Sequence, residues 1–222
     1  MNIPPIAWLI LGGVILAIAS FVWSYYARKR RIEQMQSAAD ELGLTFYVNG
    51  DPGLVSELSC FELFSQGRNR ITSNMIYGDT GDIKLGIFDY RYTTGHGKHK
   101  RTSHQTVVYI NSAELHLPDF TLGPESVFHK IASVLGYKDI DFDSHPKFSG
   151  AYLLRGSNEE RIRAVFSEAI LSYLETQAGI SAEGNGQRLL YFRNRRMVAP
   201  SGVRDLMEEG YKIFSLFRNA VA

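Results

Sequence analysis

An uncharged apolar run opens the sequence and is followed at once by a block of basic residues. The run, IPPIAWLILGGVILAIASFVWSYYA, covers residues 3–27, and RKRR follows at residues 28–31. About 20 apolar residues are enough to cross a bilayer as a helix. Trp8 and Trp23 lie near its two ends, where interfacial aromatic rings are enriched. The pattern predicts a transmembrane anchor over residues 1–31, with the basic block as its stop-transfer flank.

The basic block also predicts the orientation of this anchor. Lys and Arg collect on the cytoplasmic side of a spanning helix, which places the N-terminus outside and residues 32–222 in the cytoplasm. A cleaved signal peptide is an alternative, because Ala17-Ile18-Ala19 has the form of a cleavage site. The basic residues that should precede the apolar core of a signal peptide are absent, and the run is longer than such a core. A buried core helix is a further alternative, and the abrupt basic end of the run argues against it.

Composition limits the classes of partner. The formal net charge of the 222 residues is +1, so no global field attracts nucleic acid, and a nucleic-acid partner is not expected. A single cysteine, Cys60, excludes an internal disulfide and a cysteine-based zinc cluster. The lipid bilayer is the predicted partner of residues 3–27, and a protein partner at the membrane is a further expectation. The sequence does not indicate an oligomeric state.

The rest of the chain predicts an α+β fold. Residues 71–78, 82–94 and 102–111 are rich in β-branched and aromatic residues and are separated by short turns, which indicates an antiparallel β-meander. Helices and one further hairpin follow: a helix over 123–136, a helix over 157–178 opened by a Ser157/Glu160 capping box, a hairpin over 180–194 turning at Gly184-Asn185-Gly186, and a helix from Ser201. These elements form either one soluble domain or two lobes, 32–136 and 137–222.

The segment GIFDYRYT alternates aromatic and charged residues along one predicted strand. Phe88, Tyr90 and Tyr92 share one face, which predicts a packed aromatic surface. Asp89 and Arg91 share the other face, which predicts an ion pair within the strand. The alternative function of this sheet face is to bind an anionic or planar ligand through Arg91 and the tyrosines.

The loop GHGKHKR, residues 95–101, is a basic hairpin tip. A solvated tip is the simplest interpretation of such a loop. An alternative is an anionic lipid-binding or ligand-binding module that uses Arg91, Lys98, Lys100 and Arg101. A histidine metal site is less consistent with the sequence, since the neighbouring lysines repel a cation.

The stretch DIDFDSHPKFSGAYLLRG, residues 139–156, carries Asp139, Asp141, Asp143 and His145 at every second position. Carboxylates and imidazole are common metal ligands, so a metal-dependent hydrolase using Asp141, Asp143 and His145 is one hypothesis. Alternate residues on a strand lie roughly 6.5–7 Å apart, which is too far for all of them to share one ion. The stretch also lacks the calcium-loop pattern. We therefore favour a structural turn.

The sequence contains no complete catalytic or ligand-binding motif of a recognised kind. Asp79-Thr80-Gly81 has the form of an aspartic protease tripeptide, but the second such motif is missing and the position between two strands suits a turn. G-x-S-x-G, H-E-x-x-H and G-x-G-x-x-G are all absent. The sequence thus predicts no catalytic, cofactor-binding or metal-ligating residue and no cofactor, and it leans against an enzyme.

The segments FDYRY, DFDSHPKF and YLLRG together resemble a family of bacterial single-pass membrane-anchored proteins with no assigned activity. The resemblance extends over most of residues 42–217. It implies a bacterial inner membrane and says nothing of a reaction. The expectation that follows is a membrane-anchored domain that faces the cytoplasm and acts by non-catalytic binding or scaffolding.

Overall fold

The computed structural model describes residues 5–51, 53–125 and 139–221. Its longest element is helix α1, Pro5–Leu42, which runs without a break from the apolar segment into the folded domain. From Ile10 this helix is long and apolar enough to cross a membrane. Its large apolar side chains are exposed, with Phe21 at 74% and Trp23 at 79% of full exposure. That exposure rules out a core helix buried within this chain.

Beyond α1 the chain alternates strands with short helices. In chain order the elements are β1 (Thr45–Tyr47), α2 (Leu54–Glu57), α3 (Glu62–Ser65), β2 (Arg68–Asp79), β3 (Ile83–Thr94), β4 (Arg101–Ser112), β5 (Leu117–Pro124), α4 (Pro146–Ala151), β6 (Tyr152–Gly156), α5 (Glu159–Val165), α6 (Glu168–Glu175), β7 (Ser181–Gly186), β8 (Arg188–Phe192) and α7 (Val203–Val221). The predicted α+β class is confirmed.

The eight strands of the described residues lie in one antiparallel sheet, in the order β1-β2-β3-β4-β8-β7-β5-β6. The predicted meander is present as β2, β3 and β4, and β3 pairs with β4 along its whole length. Strands β8 and β7 return between β4 and β5, so sections of chain before and after the undescribed residues 126–138 are interleaved in the same sheet.

The sheet has a hydrophobic core on each face. One face packs against α1, α5, α6 and α7, where Met35, Ile162, Ile170 and Phe214 are buried. The other face is covered by the chain between residues 54 and 64, and it holds the predicted aromatic row of Phe88, Tyr90 and Tyr92. Helix α7 approaches the sheet closely at Gly210. A Cβ there would lie 2.9 Å from Val108 Cγ1, so only glycine fits without a shift.

Several predicted boundaries were wrong for identifiable reasons. The helix predicted over 157–178 is two helices, α5 and α6, separated at Phe166-Ser167. Both helices bury the same side, so the apolar periodicity continues across the break and hides it. The N-cap is Asn158, whose side chain accepts from the Arg161 amide at 3.0 Å, and the predicted capping box of Ser157 and Glu160 does not form.

The remaining differences concern a strand and a turn. Strand β5 was not predicted, and its last residues, Gly123 and Pro124, take the start of the helix predicted over 123–136. Residues 126–138 of that predicted helix lie outside the described part of the chain. The last hairpin turns at Gly186-Gln187, later than predicted, since Asn185 pairs with Arg188.

Candidate functional site

A partly buried ion pair joins α1 to the sheet, in addition to the packing of Met35 and Ala39 in the core. Arg31 Nε and Nη2 donate to the two carboxylate oxygens of Asp89, each at 2.7 Å. Asp89 lies in the middle of β3 and is 5% exposed. Its carboxylate also accepts from Asn74 Nδ2 at 2.8 Å and Thr106 Oγ1 at 3.1 Å. This bidentate pair fixes α1 in rotation and in height on the sheet.

Arg31 also binds the segment that follows β8. Its Nη1 donates to the Val198 carbonyl at 3.0 Å, and the Val198 amide donates to Thr106 Oγ1 at 3.0 Å. The guanidinium therefore joins α1, the central strands and the chain after β8. The sequence assigned Arg31 to the membrane flank and paired Asp89 with Arg91. The second assignment was wrong, because Arg31 forms the ion pair with the Asp89 carboxylate and Arg91 is exposed.

The direction of α1 over the sheet defines which end of the domain lies nearer the apolar segment. Arg31 contacts Asp89, which pairs with Ser73 halfway along β2. Beyond the C-terminal end of α1, the Leu44 side chain packs against Gly78 near the end of β2. Following α1 back from Arg31 towards its apolar segment therefore leads to the opposite end of the sheet, where β2 begins and where β3 turns into β4.

Two segments meet at this end: residues 66–70 and 91–104. Their positions follow from the register, since Arg68 pairs with Thr93 and Arg91 pairs with His104. The two segments contain no Asp or Glu. We call their basic residues the basic end: Arg68, Arg70, Arg91, Lys98, Lys100 and Arg101.

The opposite end of the sheet has acidic turns. The turn between β2 and β3 carries Asp79 and Asp82, and the turn between β4 and β5 carries Glu114. The first turn of α5 adds Glu159 and Glu160. Basic residues lie at this end too, since Lys84 pairs with Asp79 across the turn and Arg218 is 3.3 Å from Glu114. Unlike the basic end, this end therefore has carboxylates beside its basic residues.

In the stretch from Asp139, hydrogen bonds serve the fold. Asp139 Oδ1 accepts from the Leu154 amide at 2.9 Å, and the Ile140 amide donates to the Leu154 carbonyl at 2.8 Å. Partial burial raises the pKa of the Asp139 carboxyl. Asp141 and Asp143 have exposed side chains, and the backbone carbonyl of Asp141 accepts from Arg163 at 2.7 Å. The alternating acids do not converge on one point.

His145 lies between two carboxylates supplied by α6. Its Nε2 is 2.8 Å from Glu168 Oε2 and its Nδ1 is 3.2 Å from Glu175 Oε1. The hydrogen bond to Glu168, supported by that to Glu175, raises the pKa of His145. Since the carboxylates approach opposite nitrogens of one ring, the three groups cannot bind the same ion. Within the described ranges, no cluster of three or more His, Cys, Asp or Glu side chains is arranged for a metal.

Replacing His145 tests the structural interpretation of this stretch. Because the pKa of His145 is raised in the folded state, its stabilising effect is full below the unfolded-state pKa of about 6.5 and is lost as the pH rises through the folded-state pKa. We expect His145→Ala to melt at a lower temperature than the native chain, with the larger deficit at the lower pH. Asp143→Ala, an exposed neighbour, should melt as the native chain does. Loss of a bound metal in both variants, with unchanged melting, would favour the hydrolase hypothesis.

A cavity of about 290 Å³ lies at the edge formed by β5, β6 and β7. Arg155 Nη2 is 2.7 Å from both carboxylate oxygens of Glu62 at this cavity. Glu183 is 3% exposed and accepts from the Leu63 amide at 3.0 Å. Burial, with the charge of Glu62 nearby, raises the pKa of Glu183 to about 8. Cys60 also lines the cavity, and partial burial raises the pKa of its thiol.

No feature of the sequence indicates this buried cluster. Glu62, Arg155 and Glu183 are far apart along the chain and belong to no recognised motif. The Glu183 carboxylate accepts a hydrogen bond from an amide in the first turn of α3. The N-terminal residues of α3 supply no side-chain cap of their own. The arrangement is that of a buried charge pair beside a neutral carboxylic acid, which joins α3 to the edge of the sheet.

The described chain is an antiparallel α+β domain joined to a helix that is long and apolar enough to cross a membrane. The same fold occurs in the crystal structure of the mycobacterial trehalose monomycolate transport factor A, TtfA. The TM-score is 0.57 over 86% of this chain and 93% of that chain, at 10% sequence identity. No protein-family model matches the chain, and no curated protein matches its sequence.

Proposed function

We propose that the chain is a single-pass protein of the bacterial inner membrane whose domain acts by non-catalytic binding or scaffolding. The observation that carries this proposal is the continuity of α1. One helix includes both the exposed apolar segment and the residues that pack on the sheet, and Arg31 joins it to Asp89. A domain attached in this way is held at a set height and tilt above a bilayer, as a scaffold requires.

The surroundings of α1 support the membrane assignment. Val22, Trp23 and Tyr26 remain exposed in the folded chain, at 44%, 79% and 63% of full exposure. Exposed apolar surface on this scale costs free energy in water and is removed by a bilayer. Arg28, Lys29 and Arg30 are exposed as well, so they are available as the cytoplasmic flank that places the N-terminus outside.

The shared fold adds to the case for binding. TtfA is a trehalose monomycolate transport factor by its description, and a transport factor need not be an enzyme. Two of the perturbed ionisable groups in the described part of the chain have structural partners. His145 is paired with α6 carboxylates, and Glu183 accepts from the start of α3. This use of polar groups favours binding over catalysis.

A topology measurement tests the membrane assignment. A reporter that fluoresces only in the cytoplasm, fused after Ala222, should fluoresce, and alkaline carbonate should not extract the fusion from membranes. Arg28, Lys29 and Arg30 replaced together by Gln should weaken this orientation, while Arg31 is kept because the fold needs it. Activity of a periplasmic reporter at the same position, or a mature chain shortened near Ala19, would contradict the proposal and restore the signal-peptide alternative.

A cross-linking measurement tests the binding role. Photo-reactive residues placed in living cells on the exposed surface of the domain should form discrete adducts with a neighbouring molecule. Photo-reactive residues placed in the apolar part of α1 serve as a control and should form adducts with lipid. A domain that acts only on diffusing substrates would leave the exposed positions without discrete adducts.

A further inference from the structure

We propose that the basic end binds anionic phospholipid headgroups of the same bilayer that α1 spans. This inference rests on the proposed function, because it requires the apolar segment of α1 to be inserted. It extends the basic loop 95–101 to a larger surface, since strand pairing brings Arg68 and Arg91 to the same end of the sheet.

The height of the hairpin tip supports this placement. Thr94 lies five residues beyond Asp89 on β3, which is about 16 Å along an extended strand. The same distance along α1 covers about 11 residues, from Arg31 back to Ser20. Any angle between strand and helix shortens this projection. The tip therefore lies level with the last turns of the apolar segment, which include Trp23.

Aromatic residues mark this level as the membrane interface. Trp23, Tyr25 and Tyr26 are exposed on α1, and rings of this kind favour the headgroup region of a bilayer. The hairpin tip and the aromatic residues thus reach the same layer by independent routes, one through the sheet and one through the helix. Headgroups are the molecules that fill this layer on either side of α1.

The charge of the basic end suits these headgroups. Lys98, Lys100 and Arg101 are exposed, and residues 66–70 and 91–104 contain no carboxylate to neutralise them. The nearest described side-chain contact at the tip joins Arg68 Nη1 and His96 Nε2 at 3.3 Å, which adds no negative charge. Basic residues held at an anionic membrane surface each strengthen binding, and the attraction extends over about one Debye length, roughly 8–10 Å.

The backbone of the tip presents these side chains outward. Gly95 has φ +68°, and a Cβ there would lie 2.3 Å from the His99 carbonyl oxygen, so the chain closes tightly on itself. Gly97 also has a positive φ, +54°. This compact turn leaves the lysines on its outer surface. A soluble polyanion would be attracted to the same charges, but only the bilayer is held next to this end of the domain by α1.

Depth-dependent fluorescence quenching tests the inference with the full chain. Cys60→Ser removes the native thiol, and His99→Cys then carries a fluorophore at the tip. The protein is inserted in nanodiscs whose lipids bear a nitroxide on the headgroup, with or without phosphatidylglycerol beside phosphatidylcholine. We expect strong quenching with phosphatidylglycerol, and weaker quenching without it or at high salt. A fluorophore at Ala113→Cys, in the opposite turn, should be unquenched in every case.

Matched charge variants assign the effect to the basic end. One variant combines Lys98→Gln, Lys100→Gln and Arg101→Gln. We expect the ratio of lipid-bound to unbound hairpin tip to fall roughly fivefold for each removed charge. The control variant combines Lys84→Gln, Arg161→Gln and Lys212→Gln. It removes three positive charges that lie outside the basic end, so quenching should be unchanged.

Three outcomes would overturn the inference. Equal quenching with and without phosphatidylglycerol would mean that the tip is near the bilayer but does not recognise headgroup charge. An unquenched tip in a properly inserted protein would place it away from the surface, with the proposed anchoring intact. A chain that fails to co-elute with nanodiscs would overturn the anchoring itself.

Discussion

Asp89→Ala is expected to lower the free energy of unfolding by about 3 kcal/mol, because it leaves a largely buried guanidinium without its carboxylate. The Asp89 side chain is 7% exposed and that of Arg31 is 20% exposed, so solvent screens the pair only weakly. Asn74 and Thr106 lose the same acceptor. Chemical denaturation of the full chain in micelles, followed by circular dichroism, measures the change.

Two further variants show whether the pair itself is responsible. Arg91→Ala changes the residue that shares the strand face with Asp89, is exposed, and should alter stability by less than about 0.5 kcal/mol. In a background of Arg31→Met, Asp89→Ala should cost less than it does alone, with a coupling energy between about 0.5 and 3 kcal/mol. An equal cost in both backgrounds would show that Asp89 acts through the sheet alone and does not hold α1.

The same pair shows what a local sequence pattern can and cannot predict. The meander, the apolar anchor and the amphipathic last helix follow from periodicities of 2 and 3.6, which neighbouring residues set. The partner of Asp89 does not. The sequence favoured Arg91 because it is near in the chain, whereas the fold supplies Arg31 from another element. Pairing across elements depends on register and on packing, which a single sequence does not display.

The candidate sites also differ in how much of each can be predicted from the sequence. The basic loop 95–101 is visible in the sequence, but Arg68 joins it only through strand pairing. The structural interpretation of the stretch from Asp139 follows from strand spacing and turn chemistry. The partners of His145, which are Glu168 and Glu175, lie on a helix more than twenty residues later and had no signal before the fold was known.

The second large effect is a change of folding stability with pH, and it comes from Glu183. Its pKa is about 8 in the folded state, against an ordinary value of 4.5. Between these values the folded chain retains a proton that the unfolded chain has lost. Stability therefore falls as the pH rises, by up to about 1.4 kcal/mol per pH unit from this group. Glu183→Gln keeps an acceptor for the Leu63 amide and removes the proton.

We therefore expect Glu183→Gln to match the native chain near pH 4.5 and to exceed it increasingly towards pH 8, where the gap reaches several kcal/mol. Thermal melting across this range measures the gap. His145 weakens the native chain in the same direction as the pH rises, so the informative quantity is the difference between variant and native chain, in which the effect of His145 cancels.

An exposed carboxylate provides the matched control for this measurement. Glu159→Gln removes one charge from a surface pair with Arg163, and its difference from the native chain should stay nearly constant over the same pH range. A constant difference for Glu183→Gln as well would mean that Glu183 is ionised in the folded state. Its charge would then be balanced by Arg155, and the cavity would hold an ion pair shared among three residues in place of a neutral acid beside a pair.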